Sequence, residues 1–269
     1  MLIIGEKINS SIPSVKKAIA EKDKAYLAAL ARDQAEAGAD YIDVNAGDGR
    51  DANSTPVAIM QWLMEVVQEA TDRPLCIDSD DPAVLEAALA GYRGDRVMVN
   101  SVTAEPERLQ SVGRIVAEAG ALVIALVMKG EGIPRNIEER LEAADIIMDN
   151  LTGKGVPPER VYFDPLVLPI SVDSTQGLVT LKTIEALKKR YPAAKTVMGL
   201  SNISYGLPGR GIVNRSFMLM AASAGLDAAI LNPFDVKMMG LVKVADMLTS
   251  RDAFCRGYTR AYRKGLLTE

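Results

Sequence analysis

Short apolar runs alternate with longer amphipathic stretches along the whole chain, and eight of those runs end on a polar residue. Residues 2–5 lead into Glu6 and Asn9, Tyr41 and Ile42 into Asp43 and Asn45, residues 75–77 into Asp78, and residues 97–99 into Asn100. Residues 122–128 lead into Lys129, 161–163 into Asp164, 197–200 into Ser201 and Asn202, and 228–231 into Asn232. Runs this short and apolar fit buried parallel strands, and every gap between them has room for a helix. The rhythm predicts an α/β fold: a single (β/α)8 TIM barrel over residues 1–269, with polar residues collected at the C-terminal strand ends, where such barrels keep their chemistry.

The gaps carry helix signals of their own. Ser54 or Thr55 caps a helix with Pro56 in its first turn and Ile59, Leu63, Val66 and Ala70 at helical spacing. Asp81 and Pro82 repeat the device ahead of Val84, Leu85, Ala88 and Leu89. Further helices are predicted over 105–119, 135–151, 177–191, 212–224 and 236–248, while 14–37 splits in two at Asp23, a possible N-cap. In 177–191 the apolar stripe is Leu178, Leu181, Ile184 and Leu187, ending in Lys188, Lys189 and Arg190, cations suited to a helix C-terminus. The tail, 251–264, reads as a C-terminal helix whose Phe254, Tyr258 and Tyr262 pack into the core, with dimerisation as the alternative. Three βα connections, 47–50, 129–134 and 204–211, are longer or richer in glycine than chain reversal requires, as expected around a ligand that enters and leaves.

Composition narrows the chemistry. A formal charge of −4 without a basic stripe argues against nucleic acid. No apolar run is long enough for a membrane span, and the N-terminus lacks the pattern of a signal peptide, so a cytoplasmic protein is expected. Two cysteines make no disulfide framework, and Cys76, inside a strand, is expected to be a buried, inert thiol. Histidine is absent, which removes Ser-His-Asp triads, histidine acid–base catalysis and nearly every zinc hydrolase site. Carboxylates, amides, hydroxyls or a reagent brought by another molecule must suffice.

Asp78, Asn100 and Asp164 close three different strands, so a closed barrel points all three over its mouth. Carboxylates only accept hydrogen bonds, whereas an amide both donates and accepts. Such a set suits a flat heterocycle with an amino-pyrimidinone edge, whose donors relieve the repulsion between two carboxylates. A divalent metal bound by Asp78 and Asp164, as in a barrel lyase or aldolase, would relieve it too, and strand-end capping is the purely structural alternative.

Taken together, Gly5-Glu6-Lys7-Ile8-Asn9, Asp43-Val44-Asn45, Ile77-Asp78-Ser79, Val99-Asn100-Ser101, Phe163-Asp164-Pro165-Leu166 and Gly199-Leu200-Ser201-Asn202-Ile203-Ser204 resemble the pterin-binding barrel family from Met1 to about Asn232. That family includes methyltetrahydrofolate:corrinoid protein methyltransferases, the folate module of cobalamin-dependent methionine synthase, and dihydropteroate synthase. Dihydropteroate synthases carry a lysine in the seventh-strand motif. Asn202 stands there in this chain, which is similar to the methyltransferases, although Lys195 lies earlier on the same strand. The resemblance implies that Asp78, Asn100 and Asp164 hold the pterin, that Gly199, Ser201, Asp43 and Asn45 join the site, and that Asn202 sits near N5 as the catalytic donor. It implies 5-methyltetrahydrofolate as substrate and cobalamin carried by a corrinoid protein, with a corrinoid iron–sulfur protein as one candidate, as methyl acceptor, with no metal held by this chain. A homodimer in anaerobic one-carbon metabolism is expected. Glu6 and Asn9 are read as supporting or structural, Lys129 or Arg210 as possible contacts for a folate tail, and Asn232 is left without a role. A dihydropteroate synthase and a folate-binding subunit without catalysis stay open beside it.

Overall fold

A computed structural model describes residues 1–47, 54–130 and 132–267. Eight strands form one closed parallel barrel in sequence order: β1 (Leu2–Asn9), β2 (Tyr41–Asn45), β3 (Leu75–Asp78), β4 (Val97–Val102), β5 (Leu122–Leu126), β6 (Val161–Asp164), β7 (Lys195–Gly199) and β8 (Ala228–Leu231). β8 returns to β1 with Leu2 opposite Ala228 and Gly5 opposite Leu231, so no strand keeps an open edge. The helices are α1 (Pro13–Ala20), α2 (Lys24–Glu36), α3 (Pro56–Ala70), α4 (Pro82–Ala90), α5 (Pro106–Ala119), α6 (Ile137–Gly153), α7 (Gln176–Arg190), α8 (Arg210–Ala224), α9 (Val236–Leu248) and α10 (Arg256–Arg263).

Local chemistry starts the helices where the sequence signals them. Asp23 accepts the Tyr26 N–H at 3.0 Å, Thr55 that of Ala58 at 3.2 Å, and Asp81 that of Ala83 at 2.8 Å. The α6 helix begins two residues later than its apolar spacing implies, because Asn136 caps it by accepting the Glu139 N–H at 2.9 Å. In α7, Leu181, Ile184 and Leu187 are buried, but Leu178 is 60% exposed.

The tail departs from expectation. Residues 253–255 form a 3₁₀ turn, and Phe254 and Cys255 have φ of 58° and 54°. Backbone in the left-handed region breaks the helix before Arg256. Phe254 is 86% and Tyr262 69% exposed, so the aromatic stripe is not core packing; Ala261 is the residue that α10 buries.

Alternation along the strands positions the site. Ile4, Tyr41, Cys76, Met98, Ile124, Val197 and Ala228 point inward and form one buried cluster in the barrel interior. Their neighbours of opposite parity, such as Ile42, Ile77, Val99, Val123 and Phe163, pack outward among the helices. Two residues above the inward cluster stand Asp43, Asp78, Asn100, Leu126 and Gly199, all of the same parity, and Asp164 stands above the inward Tyr162. The polar strand ends are therefore the top layer of the barrel interior. On β1 the register slips between Gly5 and Ile8, and Ile8 joins the outer cluster.

Candidate functional site

The mouth is built by short strands that stop at the polar layer. Asp78 ends β3, and its Oδ2 accepts from Asn45 Nδ2 at 2.8 Å. Asn45 is held in turn, its Oδ1 accepting from Ser10 Oγ at 3.0 Å and from the Gly47 N–H at 2.9 Å. Asn100 lies inside β4, not at its end, and its Nδ2 faces Asp43 Oδ1 at 3.5 Å, a long contact. The Asn100–Ser101 peptide bond is cis. Asp164 ends β6 and is 8% exposed; its Oδ1 accepts the Leu166 N–H at 2.8 Å.

Burial does not act equally on these carboxyls. Burial, then the charge of Asp78, pushes Asp43 well above the usual carboxylate range, while bonds to Cys76 and Asn100 oppose the shift. Cys76 is fully buried as expected, and burial followed by the Asp43 charge pushes its thiol up, so the S–H is the donor of that bond. Asp78 is raised chiefly by burial, but the Asn45 amide and the Arg108 guanidinium work against this. Burial and like charge therefore favour the neutral form more strongly at Asp43 than at Asp78. Burial lifts Asp164 to about 6, against the Leu166 and Gly199 N–H groups and Arg140. Two carboxyls, Asp78 and Asp164, and the Asn100 amide consequently stand on the inward layer, with Asp43 against Asn100.

After β7 the chain enters a 3₁₀ turn, residues Leu200–Ser204, anchored by the buried Leu200 and Ile203. Its polar members divide the work. The Ser201 carbonyl accepts from Arg210 Nη2 at 2.7 Å, and Ser204 Oγ accepts from Arg210 Nε at 3.0 Å. Asn202 is exposed, and its side chain has no hydrogen-bond partner among the described residues, so its amide is available to a ligand. Gly199 contributes its backbone N–H to Asp164.

A cavity of about 270 Å³ opens beside this turn, lined by Glu6, Ser201, Arg210, Asn214, Asn232 and Asp235 among others. Glu6, raised mainly by burial, and Asn232 therefore line a cavity beside the β7 turn, more than the sequence implied for either. A second, more apolar groove of about 520 Å³ lies over Ile133, Leu168, Pro169, Val172 and Gln176. Asn9 is structural: its Oδ1 accepts the Ser11 N–H at 2.9 Å. The tail contacts fare differently. Lys129 lies beyond the end of β5 and pairs with Glu142 at 2.8 Å, and Arg210 braces the β7 turn. Of the three glycine-rich connections, residues 48–50 and Glu131 lie outside the described residues.

Sequence reasoning missed Arg108, Arg140 and Gln176. Arg108 donates to the Ser79 carbonyl at 3.0 Å and to the Ser101 carbonyl at 2.6 and 2.9 Å, tying together the exits of β3 and β4. Each stands in the first turn of a helix, where an arginine or glutamine in sequence looks like an ordinary surface residue.

Among the described residues no group of three or more His, Cys, Asp or Glu is arranged to hold a metal ion, and no helix is long and apolar enough to cross a membrane. Comparison with known proteins agrees with the geometry. The model of the pterin binding enzyme family matches residues 6–232. A methylcorrinoid:tetrahydrofolate methyltransferase of Eubacterium limosum is 38% identical over 98% of this chain and 97% of its own length. A methionine synthase of Mycobacterium tuberculosis is 33% identical over 90% of this chain, which spans 21% of that longer protein. Dihydropteroate synthase from Stenotrophomonas maltophilia superposes with a TM-score of 0.70 at 16% identity, covering 94% of this chain and 93% of that one, a likeness of fold alone. With its strand-end carboxylates and amides on one inward layer, the chain belongs to the family of pterin-binding enzymes.

Proposed function

We propose that this chain is a methyltransferase that moves the N5-methyl group of 5-methyltetrahydrofolate to the cob(I)alamin of a corrinoid protein, and in reverse. The observation that carries the reading is the pairing of an acceptor-rich inward layer, Asp78, Asn100 and Asp164, with an unengaged amide, Asn202, on the turn above it. The first fits the ring N–H and amino group of a pterin. The second fits a nitrogen that must gain electron density as its methyl leaves. The likeness to the Eubacterium limosum methyltransferase along nearly the whole of both chains supports the same activity.

A methyl on tertiary N5 is a poor electrophile, since the departing nitrogen would be left as an unstable amide anion. Donation to N5 in the transition state removes that obstacle, and only interactions stronger there raise the rate. In this reading Asn202 donates through Nδ2, the N5–methyl bond breaks with its electron pair staying on nitrogen, and a proton from solvent completes tetrahydrofolate. The cob(I)alamin supplies the nucleophilic electron pair, so no general base and no histidine is needed. Asp78 and Asp164 hold the donor edge of the pterin, Asn100 adds an acceptor and a donor, and Asp43 and Asn45 keep Asn100 and Asp78 in place. Gly199 and Ser201 shape the β7 side. The reading takes residues 1–269 as one catalytic domain of a cytoplasmic homodimer, with a corrinoid iron–sulfur protein as partner.

The test mixes the purified chain with methyltetrahydrofolate and cob(I)alamin and follows the Co(I) absorbance. Enzyme-dependent loss of that absorbance is expected, whereas folate binding without any loss would leave only a folate-binding subunit.

A further inference from the structure

Arg140 is the bulkiest of the side chains with essentially no exposed surface. It is the fourth residue of α6, at the mouth end of the helix layer. Its Nη2 donates to Gln176 Oε1 at 3.0 Å, and Gln176 Nε2 donates onward to Asp173 Oδ2 at 2.9 Å. Nε and Nη1 are buried without a hydrogen-bond partner among the described residues. A buried guanidinium left this bare costs several kcal/mol unless a counter-charge offsets it. Burial does pull Arg140 below its ordinary range, and the charges opposing that shift are Asp164 and then Glu139.

Asp164 has the complementary problem: it is buried, and Arg140 is the charged group that favours its ionised form, the other helpers being the neutral N–H groups of Leu166 and Gly199. The two are also linked through the chain. Leu166, whose N–H meets Asp164, has φ of 63°, and its carbonyl accepts from Thr180 Oγ1 of α7 at 3.5 Å. The first residue of α7 is Gln176, the one Arg140 grips.

We propose that Arg140 is a positioning residue for ligand recognition, a buried cation in the outer helix layer that serves as the counter-charge of Asp164 and, through Gln176, holds the segment joining β6 to α7. The role rests on the reading of Asp164 as an acceptor for the pterin donor edge. Arg140 touches no ligand itself, so its effect passes wholly through the Asp164 carboxylate and through the segment joining β6 to α7.

The decisive measurement is the titration of Asp164 in the ligand-free protein, by NMR of carboxyl-labelled aspartate with Asp164→Asn identifying the resonance, run beside methyltetrahydrofolate affinity from pH 5.5 to 9. Arg140→Met is expected to raise the Asp164 midpoint by about one to two pH units, as loss of a nearby opposite charge does. Folate affinity should then fall about twofold to tenfold at pH 7 and recover toward the wild-type value near pH 9. Arg140→Lys should keep the wild-type midpoint. Gln176→Glu places an anion on the guanidinium, gives up the bond to Asp173, and should raise the midpoint, so it carries the test if Arg140→Met fails to fold. An unmoved Asp164 midpoint in Arg140→Met and Gln176→Glu, or an affinity loss equal at every pH, would overturn the proposal. If wild-type protein binds no folate the functional reading fails, but the ligand-free titration still decides whether Arg140 governs Asp164.

Discussion

Replacing Asp164 by Asn should make the ligand-free protein more stable and the ligand complex weaker. The carboxyl is lifted by burial from 3.8 to about 6. A shift of about 2 units corresponds to about 3 kcal/mol of preference for the neutral form, at 1.36 kcal/mol per unit. At 8% exposure, solvent screening takes little away from that figure. A raised folded-state value gives stability that is complete below the unfolded value and is lost as pH rises through about 6. At pH 8 the wild type has lost it all, and the amide, neutral at every pH, has lost none. Asn Oδ1 still accepts the Leu166 N–H, so the gain should lie between about 1 and 3 kcal/mol, with both proteins converging near pH 4. Folate binding moves the other way. An amide offers one acceptor where the carboxylate offers two charged ones, and its NH₂ meets a donor, which should weaken binding about 10²–10³-fold. Urea unfolding of both proteins at pH 4, 6 and 8, with calorimetric titration of methyltetrahydrofolate at pH 8, gives both numbers. An Asn variant less stable than wild type at pH 8, with the same pH dependence, would refute the account of Asp164 as an ion held against its burial.

Asn202→Ala should lower the methyl-transfer rate about 10²–10³-fold, the usual loss for one transition-state donor, while folate affinity changes less than about tenfold. Its exposed side chain packs against little, so melting should barely move, and equal losses in rate and affinity would remove its transition-state role. Gly5→Ala should cost about 1–3 kcal/mol in urea unfolding, because a Cβ there would lie 2.6 Å from Oε1 of the fully buried Gln34, which already accepts the Lys7 N–H. Asp227→Ala should cost a similar ~2 kcal/mol by the same assay. It leaves the Thr196 N–H and Lys188 Nζ, both now 2.9 Å from Asp227 Oδ2, without that acceptor.

Much of this site could be read in the sequence, because strand alternation and position along a barrel strand are local properties. Asp78 and Asp164 close their strands, and Asp43 and Asn45 stand two apart on the same face of β2, as their spacing requires. What sequence could not give is depth and partnership. Nothing near Asp43 says that burial and the charge of Asp78 push it well above the usual carboxylate range, and nothing near Arg140 says that a residue one turn into a helix has no exposed surface. Both depend on which element packs across the gap, a contact 36 residues away in the case of Arg140 and Gln176. The tail failed for a different reason. Aromatic residues every fourth position suggest a stripe, but the left-handed backbone at Phe254 and Cys255 ends the periodicity before the helix begins.

The division of strand residues into an inward and an outward parity also bears on how such a protein can change. The outward set holds the helices to the barrel and has no view of the ligand, so the top inward layer can be rewritten with little disturbance to the outer layer. On the proposed reading of the site, substitutions at Asp78, Asn100 or Asp164 would change specificity first. A single-residue insertion within β3 is another matter, since it would turn Asp78 toward the helices and Ile77 into the mouth, undoing recognition and packing at one stroke. Drift by substitution is thus open to this chain, while drift by insertion is confined to its loops.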